Sequence, residues 1–130
     1  MPCEIHERAD YVEVRVPAGT TKLEMLATVV ELNRRDKSKR MCDLWLFSSG
    51  VELSYAEFAE SAEAIRRLCG PGMKGNRCAI VGGDAFQQAQ LEFYRAEAAH
   101  LPFEIRIFGE ESAAIRWLRR EGEKPLATPR

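Results

Sequence analysis

The stretch CDLWLF, at Cys42–Phe47, constrains the fold more than any other. Alternate side chains of an extended chain point to opposite faces, so Leu44 and Leu46 share one face and Trp45 and Phe47 the other. A strand apolar on both faces belongs in the middle of a parallel sheet covered by helices. Three other stretches read as strands beside it. In YVEVRV, residues 11–16, Val12, Val14 and Val16 face one way and Tyr11, Glu13 and Arg15 the other, and residues 3–8 pair with it as an edge strand. CAIV, residues 78–81, is a short apolar strand. FEIRIF sets Phe103, Ile105 and Ile107 against Glu104, Arg106 and Phe108.

Helical patterns fill the gaps. Thr21 and Glu24 form a capping box ahead of a stripe at Leu23, Leu26 and Val30, widened by Met25, Val29 and Leu32. That helix ends within residues 33–36. Ser54 and Glu57 form a second box, followed by Phe58, Ala62, Ile65 and Leu68, and the Gly-Pro-Gly at 70–72 stops the helix. Asp84 caps a third helix, whose expected apolar side is Phe86, Ala89, Phe93 and Ala96. A last helix over 112–120 turns Ala114, Trp117 and Leu118 inward, with Ile115 broadening that side. Strand and helix thus alternate, which predicts one α/β domain over residues 1–130. It has a mostly parallel or mixed sheet of four to five strands, about four helices and a short flexible tail from about residue 122.

Charge and composition exclude several functions. Lys and Arg number 19 against 20 Asp and Glu, so the formal charge of -1 gives no general pull toward nucleic acid or an anionic membrane. The basic run RRDKSKR at 34–40 lacks interleaved aromatics and reads as a solvated helix end and loop. No run of 18 apolar residues is present, and the N-terminus does not read as a signal peptide. Stable membrane insertion is therefore not expected. Cys3, Cys42, Cys69 and Cys78 form no CxxC pair, which favours reduced thiols and a cytoplasmic setting. His6 and His100 are far apart with no HxxxH or carboxylate cluster, and no GxSxG elbow occurs. No metal, cofactor or catalytic set is expected.

The run from YVEVRV through CDLWLF, CAIVGG and FEIRIFGEESAAIRWL resembles the SpoIIAA-like family, whose fold relates to STAS domains. The closing IRIFGEESAAIRWL carries most of that resemblance: Phe108 ends a strand, Glu110 and Glu111 form an acidic turn, and Trp117 and Leu118 lie on the following helix. The resemblance implies a bacterial, non-enzymatic domain that binds a protein partner. It also implies two alternatives, a small apolar-ligand or lipid-binding domain and a phosphoswitch like that of anti-sigma-factor antagonists, at Ser48 or Ser49. In antagonists the regulated serine sits in an Asp-Ser-Ser-Gly-like turn directly at a helix start. Here Phe47 replaces the aspartate, and Val51, Glu52 and Leu53 separate the serines from the next helix.

Ser48, Ser49, Gly50, Gly82, Gly83, Asp84 and Glu110 all follow strands. In a parallel sheet they gather on the carboxyl edge, where ligands of open α/β sheets bind. That edge is the expected ligand- or partner-binding edge. The Gly82-Gly83 turn can hold an anion on its N–H groups, but Asp84 opposes it and a tight turn with a helix cap is the better reading of the residues. A lipid pocket would fall among Met25, Phe58, Phe86 and Phe93. A homodimer is expected from the prevalence of two-fold oligomers.

Overall fold

The computed structural model describes residues 3–34, 42–51, 53–68, 77–99, 101 and 103–119. Most of the basic run, the Gly-Pro-Gly stop, Cys69, His100 and the tail lie outside the described residues. Five strands form one sheet in sequential order: β1 (Glu4–Glu7), β2 (Val12–Val16), β3 (Cys42–Phe47), β4 (Arg77–Val81) and β5 (Glu104–Phe108). β1 pairs antiparallel with β2, and every later pairing is parallel. The helices are α1 (Lys22–Arg34), α2 (Tyr55–Leu68), α3 (Ala85–Glu97) and α4 (Glu111–Leu118).

Sequential order has a direct consequence for the helices. Each right-handed crossover advances the same way, so α1, α2 and α3 fall on one face. They cover Val12, Val14, Val16, Trp45, Phe47, Ile80 and Ile105. α4 returns across the other face and buries Ala114 and Leu118 against Leu44 and Ala79. β3 is thus covered on both sides, as CDLWLF requires. The order never reverses, so the sheet has no topological switch point to open a crevice at its edge.

Register sets the loops level. Val16 pairs with Phe47, Leu46 with Val81, and Val81 with Phe108. The chain therefore leaves the sheet at Pro17, Ser48, Gly82 and Gly109 along one carboxyl edge.

Two helices are rotated from the sequence expectation. α1 buries Met25, Val29 and Leu32, while Leu23 is 74% and Val30 45% exposed. The buried stripe has i, i+4, i+7 spacing and the one through Leu23, Leu26 and Val30 has i, i+3, i+7. The one through Leu23 and Val30 also runs through Arg34, and burying it would desolvate that charge. On α3 the buried set is Gln87, Gln90, Leu91 and Tyr94, not Phe86, Ala89, Phe93 and Ala96. Phe86 is 68% exposed. The observed face admits Leu91 and Tyr94 and keeps Glu92 and Glu97 in water, and its two glutamines find partners in the loops above.

Candidate functional site

The β3–α2 loop is built from backbone bonds. Ser48 N–H donates to Val16 O at 3.0 Å, and Ser48 O accepts from Val51 N–H at 3.2 Å. That closes a turn with Ser49 and Gly50 at its tip. Gly50 packs against the preceding loop: a Cβ there would lie 2.6 Å from the Ala18 Cβ, and Gly50 O accepts from Gly19 N–H at 3.2 Å. Gly19 has φ +82°, a left-handed conformation that suits glycine. Val51 and Leu53 then drop into the core at 6% and 3% exposure.

Two buried glutamines of α3 tie this loop down. Gln87 Nε2 donates to Ser48 O at 2.7 Å, while its Oε1 accepts from Gly83 N–H at 2.5 Å. Gln90 Nε2 donates to Leu53 O at 2.7 Å. Buried polar groups persist when they are bonded in this way. The first turn of α3 is capped as the sequence predicts, with Gln87 N–H donating to Asp84 Oδ1 at 2.8 Å. α2 is held by its capping box: Ser54 N–H donates to Glu57 Oε1 at 2.9 Å, and Glu57 N–H to Ser54 Oγ at 3.1 Å.

Between loop and helix lies an open groove of about 450 Å³. Ser49, Ser54, Asp84 and Phe86 form its exposed walls, and Val51, Leu53, Gln87 and Gln90 its buried floor. Phe86 stands two turns before Phe93 on the same side of α3. Phe93 meets the half-exposed Tyr55 edge-on, with centroids 4.9 Å apart. Carboxylates lie at the two helix starts, Asp84 on the groove wall and Glu57 beside it, each accepting its cap bond, while Glu92 farther along α3 is paired with Arg95 at 2.8 Å.

The expected edge residues divide. Ser49 and Asp84 line the groove, and Gly83 touches it through Ser49, whose Cβ lies 3.1 Å from where a Gly83 Cβ would be. Ser48 contributes its carbonyl to the floor bonding. The hydroxyls of Ser48 and Ser49 are exposed and make no hydrogen bond among the described residues. Gly50 faces Ala18 instead. Glu110 precedes α4, its carboxylate makes no cap bond, and it does not line the groove. The glycine N–H groups that an anion would need are occupied: Gly82 N–H donates to Phe108 O at 3.1 Å, and Gly83 N–H to Gln87. Sequence reasoning missed Gln87 and Gln90. Their signal is the 87, 90, 91, 94 helical spacing, in which two of the four residues are polar.

A second concavity lies between the sheet and the helices that cover it. It is an apolar cavity of about 60 Å³ lined by Met25, Trp45, Phe58, Cys78, Tyr94 and Phe103, among others. Of the expected pocket residues, Met25 and Phe58 line it. Phe86 and Phe93 do not: the rotation of α3 turns Phe86 outward, and Phe93 stays half-buried against the core elsewhere.

The remaining reactive side chains are held apart. Cys42 and Cys78 are buried on opposite faces of the sheet. Burial pushes the Cys3 thiol above its ordinary value, which disfavours the thiolate. His6 lies on β1 beside Glu4. Among the described residues no group of three or more His, Cys, Asp or Glu could hold a metal ion, and no helix is long and apolar enough to cross a membrane. Glu13, 2% exposed, sits between Arg15 at 2.6 Å and Arg8 at 3.2 Å. Burial, the largest single effect, would raise its pKa, but the bonds and charges of Arg15 and Arg8 together outweigh it and the net shift is downward.

No protein-family model, curated protein or solved structure matches this chain. Among the described residues its architecture is an α/β fold with a mostly parallel five-stranded sheet and about four helices.

Proposed function

We propose that this chain is a non-enzymatic, SpoIIAA-like protein-binding domain. Its groove receives a partner segment with one bulky apolar side chain flanked by Lys or Arg. The observation that carries this reading is Phe86, an aromatic side chain 68% exposed beside a groove whose floor is fixed by buried hydrogen bonds. An exposed aromatic next to a rigid recess is the usual anchor of a binding surface. Asp84 on its wall and Glu57 at the neighbouring helix start favour a basic partner through electrostatic complementarity. The SpoIIAA-like assignment rests on the strand–helix order and on the closing IRIFGEESAAIRWL. Buried Cys42 and Cys78 are in keeping with reduced thiols and a cytoplasmic setting.

A displayed random-peptide library selected on the purified chain tests this reading. Enriched peptides should combine an apolar residue with Lys or Arg and should lose binding to Phe86→Asp. Enriched peptides that bind Phe86→Asp equally well, or no enrichment at all, would overturn it.

Two other readings keep specific support. The internal cavity supports a small apolar ligand. At about 60 Å³ it is well below the ~300 Å³ of an ordinary ligand pocket, so a lipid needs it to enlarge. The exposed, unbonded hydroxyls of Ser48 and Ser49 support phosphorylation. A phosphate there would add about two negative charges beside the groove. The neighbouring helix starts already carry Ser54 and Asp84 as caps, so it would act by altering the groove's charge. Intact mass of the protein from its native cells checks this: unmodified chain under every growth condition removes the reading.

A further inference from the structure

We propose that a second copy of this chain adds to the open edge of β5, antiparallel and about a two-fold axis at Ile105, so that two sheets become one. β5 ends the sheet and pairs with β4 alone. Phe108 O accepts from Gly82 N–H at 3.1 Å, so Phe108 turns its main-chain groups toward β4, and by alternation so do Arg106 and Glu104. The N–H and C=O groups of Ile105 and Ile107 therefore face outward, and no described residue bonds them. Such a row of donors and acceptors is a template for another extended chain. Neither helix layer blocks the approach. α4 is centred over β3 and β4, with Ala114 and Leu118 against Leu44 and Ala79. The side of α3 nearer this edge carries Gln88, beside Gly109, then Glu92 and Arg95, which are paired with each other at 2.8 Å and bring no net charge. β1, at the opposite edge, is four residues long and carries Glu4 and Glu7, the short charged form that resists pairing.

The residues of β5 select both the occupant and the register. Directly opposite residues of an antiparallel pair share a face and touch. With the axis at Ile105, Glu104 of each copy lies opposite Arg106 of the other, and half-buried Phe103 lies opposite half-buried Ile107. Both pairs occur twice by symmetry. Ile105 meets its own copy and exchanges main-chain bonds with it. Moving the axis to Glu104 or to Arg106 sets that residue against itself, and moving it to Ile107 sets Glu104 against Glu110. The two charges are accessible for this pairing. Glu104 is 57% exposed and meets Arg77 only at 3.8 Å. Arg106 is exposed, with its guanidinium 5.3 Å from the Trp117 ring centre and no ion pair among the described residues. The β5 edge is thus complementary to itself in one register, and the inference is independent of the groove.

Sedimentation velocity of the full chain from micromolar to millimolar concentration tests it. Wild-type protein should dimerise. Glu104→Arg and Arg106→Glu each set like charges opposite at both pairs, so either variant alone should dimerise about tenfold more weakly or worse. An equimolar mixture of the two should recover the dimer, because each copy then meets the opposite sign at both positions. Ile107→Pro removes an outward N–H and no bond to β4, and it should also weaken the dimer. Phe86→Asp should leave the dimer unchanged. Circular dichroism confirms that each variant is folded. A monomer throughout, a dimer indifferent to the charge variants, or single variants that their mixture does not rescue would overturn the proposal.

Discussion

Replacing Gln87 with methionine tests what fixes the groove. Methionine keeps the length and much of the volume of glutamine but neither donates nor accepts strongly. Two bonds are lost: the donation to Ser48 O at 2.7 Å and the acceptance from Gly83 N–H at 2.5 Å. Ser48 O keeps the Val51 N–H, so its cost is small. Gly83 is exposed, so water recovers part of the second. At about 1 kcal/mol per net hydrogen bond, the expected loss is about 1–2 kcal/mol. Gln90→Met strips Leu53 O of its side-chain donor, and an unsatisfied buried carbonyl costs about 1–3 kcal/mol. Urea denaturation at unchanged m-value measures both, and amide exchange at Val51 and Gly83 reports whether the loop loosens locally. If the glutamines are buried merely as packing, Met should be neutral or stabilising. Variants as stable as wild type with unchanged exchange at Val51 and Gly83 would refute the account of how α3 is oriented.

Leu91 is fully buried under the carboxyl edge, so Leu91→Ala should lower unfolding free energy by about 2–5 kcal/mol in the same assay. Gly50→Ala must place a methyl 2.6 Å from the Ala18 Cβ; a cost of about 1–3 kcal/mol and altered shifts in the Pro17–Gly19 loop are expected. Ser54→Ala removes half of a capping box and should cost about 1 kcal/mol, with fraying at the start of α2 visible in amide exchange. Glu13 binds a proton less readily folded than unfolded, so its contribution is present above the ordinary carboxylate value of 4.5 and is lost as pH falls below it. Stability measured against pH should therefore fall less steeply on the acid side in Glu13→Gln than in wild type.

The sheet was legible because its strands carry unambiguous period-two patterns. CDLWLF announced a central strand, YVEVRV and FEIRIF read as strands with the correct faces, and CAIV as a short strand. The caps at Asp84 and Ser54 were equally legible, since each depends on residues three apart and on nothing distant. The faces of α1 and α3 were not. Each helix carries two apolar stripes, and the choice depends on what the neighbouring loops demand. For α3 the decisive partners are the carbonyls of Ser48 and Leu53, some 37 to 39 residues away in sequence. A helical periodicity read residue by residue does not weigh a buried glutamine as core, and so it assigned Phe86 inward. The same error misplaced the expected apolar pocket and hid the exposed aromatic on which the partner reading now rests. Strand order was also silent in the sequence. The sequential order means that the carboxyl edge gains its groove from loop bonding, not from a switch point.

The most direct test of the partner site is amide chemical-shift mapping of the isotope-labelled chain with the best peptide from the library selection. Perturbations confined to residues 49–55 and 84–93, absent in Phe86→Asp, are the predicted result. Perturbations centred on α1, on the internal cavity around Trp45, or spread evenly over the surface would contradict it.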